Sequence, residues 1–400
     1  MKIASFAIPM IGGVYSVASR LRQGLAEHGV EMRWIGIGPR GIEAWNEPGM
    51  EAERAHGIVV GMDAASDREQ AAAVIAYLES ERFDGVILDV LGGVLQPNLA
   101  RYLPEHFFRL LIVHSITPGT YAHARAIRDF VHATVGVSPR VRKDLVRRHG
   151  FDPERTHAIP NGCDLSPFAS TRRDHSEAVL RVLCLGRVEN SSKGVLDIPR
   201  IARRLNRPDI RFTIAGDGPD LGALKAAARG SSSSFNFLGA VPPAQVADLM
   251  ARHDVLLFPS RFEGLGLSLV EAMVTGCVPV ASLIRGVTDF VVEDGVTGLL
   301  FPVGSIRRAA DALNRLADDR TLLDRLSSNA HSAALARFDV GQMAEQYHDV
   351  LRTLMASRHA IHSPLALESW HYPAALRPGW RRYVPAWAKG YGRILAARLR

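Results

Sequence analysis

Cysteine and long apolar runs are both scarce in this sequence of 400 residues. The three cysteines, Cys163, Cys184 and Cys277, are odd in number and far apart, and no two of them have Cys-x-x-Cys spacing. This pattern argues against a disulfide framework and a cysteine zinc site, and it favours a reducing, cytoplasmic compartment. No uninterrupted apolar run approaches the roughly 18 residues that a bilayer-crossing helix needs, so a membrane-spanning protein is not expected.

Strong compositional bias is missing too. The 35 glycines and 22 prolines show no period, and charged residues make up 22% of the chain, which excludes collagen, a coiled coil and wholesale disorder. The 47% apolar content can fill sizeable cores, and the length predicts two domains or one large domain with an extension. The charge-free residues 3–19 after Lys2 have features of a secretory signal. Pro9 and the Gly12-Gly13 pair interrupt them and favour a strand, a glycine turn and a helix.

The net positive charge of the chain is concentrated in its last residues. Residues 357–400 contain eight Lys or Arg and one acid, which leaves forty bases and forty acids elsewhere. A nucleic-acid groove in the body is therefore not expected. Trp370, Trp380 and Trp387 alternate with arginines in this tail, which suits an interfacial segment on an anionic membrane. A tail packed on the body with solvated arginines explains the same pattern.

Short runs of valine, isoleucine and leucine alternate with segments of helical period. In the first half we predict strands at 2–8, 31–37, 85–90, 110–113 and 133–137, and helices at 14–27 and 67–78. In the second half we predict strands at 180–185, 210–215, 235–238, 255–258 and 278–280, and helices at 195–205, 223–228, 244–251, 267–275 and within 305–356. Unbroken apolar strands are typical of parallel sheets covered by helices on both faces.

The apolar pattern lapses around residues 165–178, which predicts a domain boundary there. We expect an α/β protein with a domain at 1–168, a second domain at 178–340 and a helical extension at 341–400. Two doubly wound, Rossmann-like domains of this kind would face a cleft, because parallel sheets bind ligands at the carboxyl ends of their strands.

The strongest motif occupies residues 254–273, Asp-Val-Leu-Leu-Phe-Pro-Ser-Arg-Phe-Glu-Gly-Leu-Gly-Leu-Ser-Leu-Val-Glu-Ala-Met. A strand here enters a glycine turn and continues as a helix. Gly264 and Gly266 let the backbone approach a ligand, and the free N–H groups of residues 267–269 at the helix start predict a phosphate site. Glu271 lies about one turn inside the helix, so it suits a ribose, and Glu263 is left for another polyol such as a sugar. A glycine turn with two surface glutamates is the alternative.

This motif resembles the Glu-x7-Glu segment of the retaining nucleotide-sugar glycosyltransferases of family 4. Further segments follow the order of that family: Gly186-Arg187 with Lys193-Gly194, Ala215-Gly-Asp-Gly-Pro219, Phe237-Leu-Gly239, Pro259-Ser260, Gly276-Cys-Val-Pro-Val280 and Gly295-x-x-Gly-Leu-Leu300. Weaker matches in the first half are Gly12-Gly13-Val14, His114, Val137-Ser138 and Ile159-Pro-Asn-Gly162. The resemblance covers about residues 1–355 and implies a GT-B fold, with the donor nucleotide on the second domain and the acceptor on the first.

A departing diphosphate must be stabilised by a divalent metal or by fixed cations, and the sequence contains no Asp-x-Asp. Arg187 and Lys193 can supply that charge, so no metal and no cofactor are expected. The resemblance implies catalytic roles for His114, Glu263, Arg187 and Lys193, with His114 hydrogen-bonded to the donor sugar near the reacting carbon. The donor-binding residues that it implies are Gly12, Gly13, Arg187, Lys193, Val241, Glu263, Gly264, Leu265, Gly266, Leu267 and Glu271.

Two segments depart from the family pattern. Residues 285–289, Arg-Gly-Val-Thr-Asp, stand where the family usually has Gly-Gly-x-x-Glu, which puts the sugar contacts of that loop in doubt. Leu265 replaces an aromatic residue between the two motif glycines, a milder change that leaves the backbone contacts intact.

The sequence thus predicts a metal-independent, retaining hexosyltransferase that uses a UDP- or GDP-sugar and a glycan or lipid-linked acceptor. We expect it in the cytoplasm, with a peripheral position on the inner face of the cytoplasmic membrane if residues 357–400 contact anionic lipid. Two alternatives stay open. A sugar phosphorylase of the same fold would demand inorganic phosphate and no nucleotide, and a non-catalytic protein would bind polyanions through the basic tail.

Overall fold

The structure is a computed structural model that describes residues 1–10, 13–89, 93–164, 179–377 and 384. The chain divides into two compact units. The first contains residues 1–162 and 340–377, and the second contains residues 163–339. The predicted boundary segment, 165–178, lies outside the described residues.

The first unit is built on a parallel sheet of seven strands in the order β3-β2-β1-β4-β5-β6-β7. The strands are β1 Lys2–Ser5, β2 Glu31–Ile37, β3 Gly57–Val60, β4 Gly85–Asp89, β5 Phe108–Val113, β6 Ala133–Gly136 and β7 Thr156–Ala158. The helices that connect them are α1 Gly13–Ala26, α2 Gly38–Trp45, α3 Asp67–Ser80, α4 Leu95–Leu99, α5 Pro118–Ile127 and α6 Pro139–His149. Every residue of β4 and β5 is buried, as expected for apolar strands covered on both faces.

Side-chain caps fix where several of these helices begin. Ser66, Thr117 and Ser138 each accept a hydrogen bond from a backbone N–H three residues later, at the starts of α3, α5 and α6. Such caps satisfy N–H groups that have no partner within the helix. At the other end of α6, Gly150 adopts φ +70°, the left-handed conformation with which many helices end.

The second unit is built on a parallel sheet of six strands in the order β10-β9-β8-β11-β12-β13. The strands are β8 Leu180–Leu185, β9 Ile210–Ala215, β10 Ser234–Gly239, β11 Val255–Phe258, β12 Val278–Leu283 and β13 Leu299–Pro302. The helices are α7 Asn190–Lys193, α8 Asp197–Leu205, α9 Leu221–Ala228, α10 Pro243–Ala251, α11 Leu267–Val274, α12 Thr288–Val291, α13 Ile306–Asp318 and α14 Arg320–Arg337. In both sheets the strand order reverses once, between β1 and β4 and between β8 and β11. The predicted pair of doubly wound, Rossmann-like domains is therefore confirmed.

After the second unit, the chain returns to the first unit as helix α15, Val340–Ala356. This helix packs along α1, where a Cβ placed on Gly24 would lie 2.5 Å from the Cβ of Ala344. The rings of His28 and His348 stack with their centroids 4.6 Å apart. The absence of a side chain at Gly24 is therefore what allows the two helices to approach so closely.

Residues 357–377 continue over the surface of the first unit. The backbone N–H of Leu365 donates to the carbonyl of Arg101 at 2.8 Å, and the ring of Trp370 packs on Tyr102 with centroids 4.5 Å apart. The carbonyl of His371 accepts from the side chains of Asn98 and Arg101. This half of the basic tail therefore packs on the body of the protein. Most of residues 378–400, including Trp380 and Trp387, lie outside the described part. Within the described residues no helix is both long enough and apolar enough to cross a membrane.

The predicted end of the first strand was wrong, and several short elements were missed. The first strand ends at Ser5 rather than at residue 8, because the hydroxyl of Ser5 accepts a hydrogen bond from the N–H of Ala7 and Pro9 has no N–H to pair. The elements that were not predicted are strands β3, β7 and β13 and helices α2, α4, α5, α6, α7 and α12.

Candidate functional site

Most of the residues that the motif analysis selected follow the central strands of the second sheet. The strand order reverses between β8 and β11, which are hydrogen-bonded neighbours. Gly186 and Arg187 follow β8, and the loop of residues 259–266 follows β11. Loops at such a reversal leave a crevice at the carboxyl ends of the strands, which is where open α/β sheets bind ligands.

Lys193 and Glu263 meet at this crevice. The ammonium Nζ of Lys193 lies 2.7 Å from Oε1 of Glu263, although the two residues are 70 positions apart in the chain. The side chain of Lys193 is 32% exposed and that of Glu263 is 11% exposed, so the lysine is the half of the pair that solvent reaches. An ammonium group has three N–H donors, so Lys193 can hold Glu263 and a ligand oxygen at the same time.

A buried ion pair holds the turn that carries Lys193. Nη2 of Arg261 lies 3.0 Å from Oδ2 of Asp197, and both side chains are 7% exposed. The same guanidinium donates to the carbonyl of Asn190, and the backbone N–H of Arg261 donates to the carbonyl of Ser192 at 2.7 Å. The loop after β11 is thus tied to helix α7, which ends at Lys193.

Gly194 makes this tie possible. It has φ +65°, and a Cβ there would lie 2.3 Å from the carbonyl oxygen of Pro259. Both the left-handed conformation and the close backbone contact require glycine at this position. The backbone conformation of Gly194 therefore determines where the ammonium group of Lys193 lies.

The loop that carries Arg187 is held by backbone contacts on one side. The N–H of Gly186 donates to Ala215 and the N–H of Val188 donates to Asp217, at 3.0 and 2.8 Å. A Cβ on Gly216 would lie 1.9 Å from the carbonyl oxygen of Gly186. Arg187 itself is exposed, and its guanidinium forms no hydrogen bond or ion pair with the part of the chain that the structure describes. Arg187 is thus a solvent-exposed cation on a loop whose backbone is held in place by hydrogen bonds.

The start of helix α11 differs in one respect from the prediction. The N–H of Leu269 is not free, because it donates to the carbonyl of Gly266 at 2.9 Å in a tight first turn. An anion at this helix start would therefore use the N–H groups of Leu267 and Ser268. Gly266 has φ +89°, so a glycine is favoured here. Glu271 lies one turn inside the helix and is half-buried.

The other predicted donor-binding residues of the second unit surround this loop or lie near it. Gly264 and Leu265 are buried, and the side chain of Leu265 is 2% exposed. Val241 is half-buried in the connection between β10 and α10. In the segment 285–289, which departs from the family pattern, Asp289 accepts hydrogen bonds from the N–H groups of Gly286 and Val287. This segment therefore forms a turn that is closed by the side chain of Asp289.

In the first unit, His114 follows β5 and contacts a carboxylate that the sequence analysis did not select. Its Nε2 lies 2.7 Å from Oδ1 of Asp89, the last residue of β4. The side chains are 9% and 3% exposed. Gly13 begins α1, and a Cβ on it would meet no atom within 4 Å. Gly12 lies outside the described residues.

Three residues of these sites were missed, namely Asp89, Asp197 and Arg261. Asp89 had a readable signal, because a carboxylate at the end of one buried strand and a histidine after the next are brought together when consecutive strands pair. Arg261 stood inside the quoted motif, but nothing in its spacing indicated Asp197 as its partner.

Comparison with known proteins identifies the family of this chain. Residues 11–167 match the family model Glycosyltransferase Family 4, and residues 180–319 match the family model Glycosyl transferases group 1. Alpha-D-kanosaminyltransferase of Streptomyces kanamyceticus is 30% identical over an alignment of 302 residues, and the match covers 72% of this chain and 76% of that protein.

Two solved structures show the same fold. Sucrose-phosphate synthase from Thermosynechococcus elongatus superposes with a TM-score of 0.72 at 20% identity, over 89% of this chain and 99% of that one. HepE of Anabaena, solved in complex with UDP and glucose, superposes with a TM-score of 0.70 at 18% identity, over 88% of this chain and all of that one. The predicted GT-B fold is confirmed. The chain belongs to the group 1, family 4 glycosyltransferases.

Proposed function

We propose that this glycosyltransferase moves a hexosyl unit from a UDP- or GDP-sugar to a glycan or lipid-linked acceptor, with retention of the anomeric configuration. The observation that carries this proposal is the Lys193–Glu263 contact at the strand reversal of the second sheet. It combines a solvent-facing cation with a carboxylate beside a helix start. That combination suits a phosphate group and a neighbouring sugar hydroxyl. That HepE was solved with UDP and glucose supports a UDP-hexose as the first donor to test.

The leaving diphosphate requires positive charge that is fixed before the bond breaks. Lys193 is placed by Gly194 and the Arg261–Asp197 pair, and Arg187 stands on a loop pinned to β9. Two such cations match the two negative charges that the diphosphate carries in the donor. We infer that they replace a divalent metal and that the reaction proceeds without one.

In the proposed reaction the second unit binds the nucleotide, and the first unit supplies His114 and the acceptor site. His114 hydrogen-bonds the donor sugar near the reacting carbon, and Glu263 binds another hydroxyl of the same sugar. The leaving phosphate then takes the proton of the attacking acceptor hydroxyl on the same face, which gives retention.

Donor binding is the direct test. We expect UDP or GDP, and their hexose conjugates, to raise the melting temperature of the full chain in the presence of EDTA. Lys193→Ala should remove most of that shift and nearly abolish donor hydrolysis and transfer, because the ammonium that faces the ligand is lost. Glu271→Ala should also nearly abolish both.

The matched control is Arg252→Ala, which removes an exposed cation of the same unit that lies after α10. This variant should bind and hydrolyse the donor like the wild type. Full activity of both Lys193→Ala and Glu271→Ala would refute the donor site. Activity that demands inorganic phosphate and no nucleotide would identify a sugar phosphorylase instead.

A further inference from the structure

The carboxylate of Asp89 is nearly inaccessible, and only one of its oxygens has a protein partner among the described residues. Oδ1 contacts Nε2 of His114 at 2.7 Å. Oδ2 is buried and has no hydrogen-bond partner within the described chain. Burying a carboxylate costs free energy unless its oxygens are hydrogen-bonded. Packing alone therefore does not explain why Asp89 is buried with a single contact, to a histidine that is predicted to bind substrate.

The contact determines which nitrogen of His114 carries a proton. An ionised carboxylate has only acceptor oxygens, so Nε2 must donate to it. In a neutral imidazole the second nitrogen is then unprotonated. Asp89 thereby leaves Nδ1 as a hydrogen-bond acceptor, which is what a sugar hydroxyl needs if it is to donate.

Helix α15 places a third polar group in the same buried region. The hydroxyl of Tyr347 is fully buried and also lacks a partner within the described chain. Burial raises the pKa of this phenol above its usual value, and the nearby charge of Asp89 raises it further. The phenol therefore stays protonated, so it is a hydrogen-bond donor in the same buried region as a carboxylate oxygen that has no partner within the described chain.

We propose that Asp89 is a positioning residue for His114, which orients the imidazole and fixes the tautomer in which Nδ1 accepts a hydrogen bond from a hydroxyl of the bound sugar. The identity of the ligand rests on the proposed function, whereas the tautomer does not.

Nitrogen NMR of the full chain with ¹⁵N-labelled histidine tests the tautomer directly. The signals of His114 are assigned as those lost in His114→Asn. We expect a protonated Nε2 and an unprotonated Nδ1 in the wild type. A protonated Nδ1 with a bare Nε2 in the wild type would overturn the proposal without any variant of Asp89.

The variant Asp89→Asn keeps the shape of the side chain but can donate as well as accept, so both tautomers become populated. We expect the two nitrogen signals of His114 to shift towards each other. We also expect kcat to fall by about 10- to 100-fold, because an imidazole in the wrong tautomer cannot accept the hydrogen bond from the sugar hydroxyl.

Asp84→Asn is the control at the opposite end of β4, where Asp84 accepts from the backbone N–H of Lys2 at 2.7 Å. It should leave both His114 signals and kcat unchanged. Unchanged signals and kcat in Asp89→Asn would overturn the proposal. A wild type that shows the expected tautomer but transfers no sugar would instead refute the proposed function and leave the Asp89–His114 relation intact.

Discussion

Two arginines contact the carboxylate of Asp197, and they differ in how far they are buried. Arg261 is 7% exposed and Arg200 is 61% exposed. We expect Arg261→Ala to lower the free energy of unfolding by about 3–5 kcal/mol, because it leaves Asp197 buried without its main partner. Arg200→Ala should cost at most about 1 kcal/mol, since exposed ion pairs contribute little. Urea unfolding measures both variants. Equal losses of unfolding free energy would contradict a stabilising role for the buried Arg261–Asp197 ion pair.

Arg261→Ala should also weaken donor binding. The turn of α7 that ends at Lys193 would lose its tie to the loop after β11, although Lys193 itself is unchanged. The thermal shift given by UDP or GDP is the readout. Arg200→Ala should retain it.

His132 makes the stability of the first unit depend on pH. Burial lowers its pKa from 6.5 to about 4, with a smaller contribution from the charge of Arg109. The unfolded chain therefore binds a proton at a higher pH than the folded chain. The stabilisation from neutral His132 is complete above about pH 6.5 and is lost as the pH falls towards 4.

The test is the variant His132→Asn, in which the amide oxygen can still accept from the backbone N–H of Arg109, as Nδ1 of His132 does at 3.0 Å. We expect a weaker loss of stability between pH 6.5 and 4 than in the wild type, measured by urea unfolding at several pH values. His106→Asn, at an exposed position, is the control and should keep the wild-type dependence. An identical pH dependence in His132→Asn and the wild type would show that another group is responsible.

The contact between α1 and α15 depends on a missing side chain. Gly24→Ala places a methyl group 2.5 Å from the Cβ of Ala344, so we expect a loss of about 1–3 kcal/mol from overpacking. Gly222→Ala, in α9, is the control, because a Cβ there meets nothing within 4 Å. It should be neutral or stabilising by up to about 1 kcal/mol. The double variant Gly24→Ala with Ala344→Gly should regain most of the loss, and failure to do so would show that the strain lies elsewhere.

Local sequence predicts an element well where its apolar run is flanked by strong breaks. The predicted strands 31–37, 180–185, 210–215 and 255–258 agree with β2, β8, β9 and β11 at both ends. Strand β3 was missed because it has only four residues, starts with a glycine and is half-buried throughout. Strand β3 forms because it pairs with β2, and this pairing cannot be read from the sequence of β3 alone.

The site was predictable to the extent that each residue's place depends on its own strand end. Lys193 and Glu263 follow β8 and β11, so their meeting follows from the strand order of a doubly wound sheet. The pairing of Arg261 with Asp197 does not, because it requires the backbone of Pro259 to lie against Gly194. The N–H of Leu269 was misjudged for a similar reason. Whether a helix begins with a tight turn depends on the preceding loop.

The basic tail is divided between a packed half and a half outside the described residues. Removing residues 378–400 deletes six of its eight basic residues and none of the contacts described for residues 357–377. We expect this truncation to melt like the full chain and to keep donor hydrolysis. Removing residues 357–400 should lower the melting temperature, because it uncovers Tyr102 and leaves the side chains of Asn98 and Arg101 without the carbonyl of His371.

If residues 378–400 contact anionic lipid, the full chain should sediment with phosphatidylglycerol vesicles at low salt and less so at high salt. The truncation at 378 should not sediment. Vesicles of phosphatidylcholine alone are the control. Absence of binding by the full chain at every salt concentration would refute the membrane contact.

The return of α15 to the first unit affects the order in which the protein can mature on the ribosome. A nascent chain that ends at residue 339 already contains every strand and helix described for the second unit, but it lacks the helix that brings Ala344 to Gly24 and Tyr347 to the neighbourhood of Asp89. Vectorial synthesis usually completes the amino-terminal domain first. Here the first unit, which contains the amino terminus, cannot be completed until α15 has been synthesised. The buried surroundings of His114 should therefore be the last part of the enzyme to form.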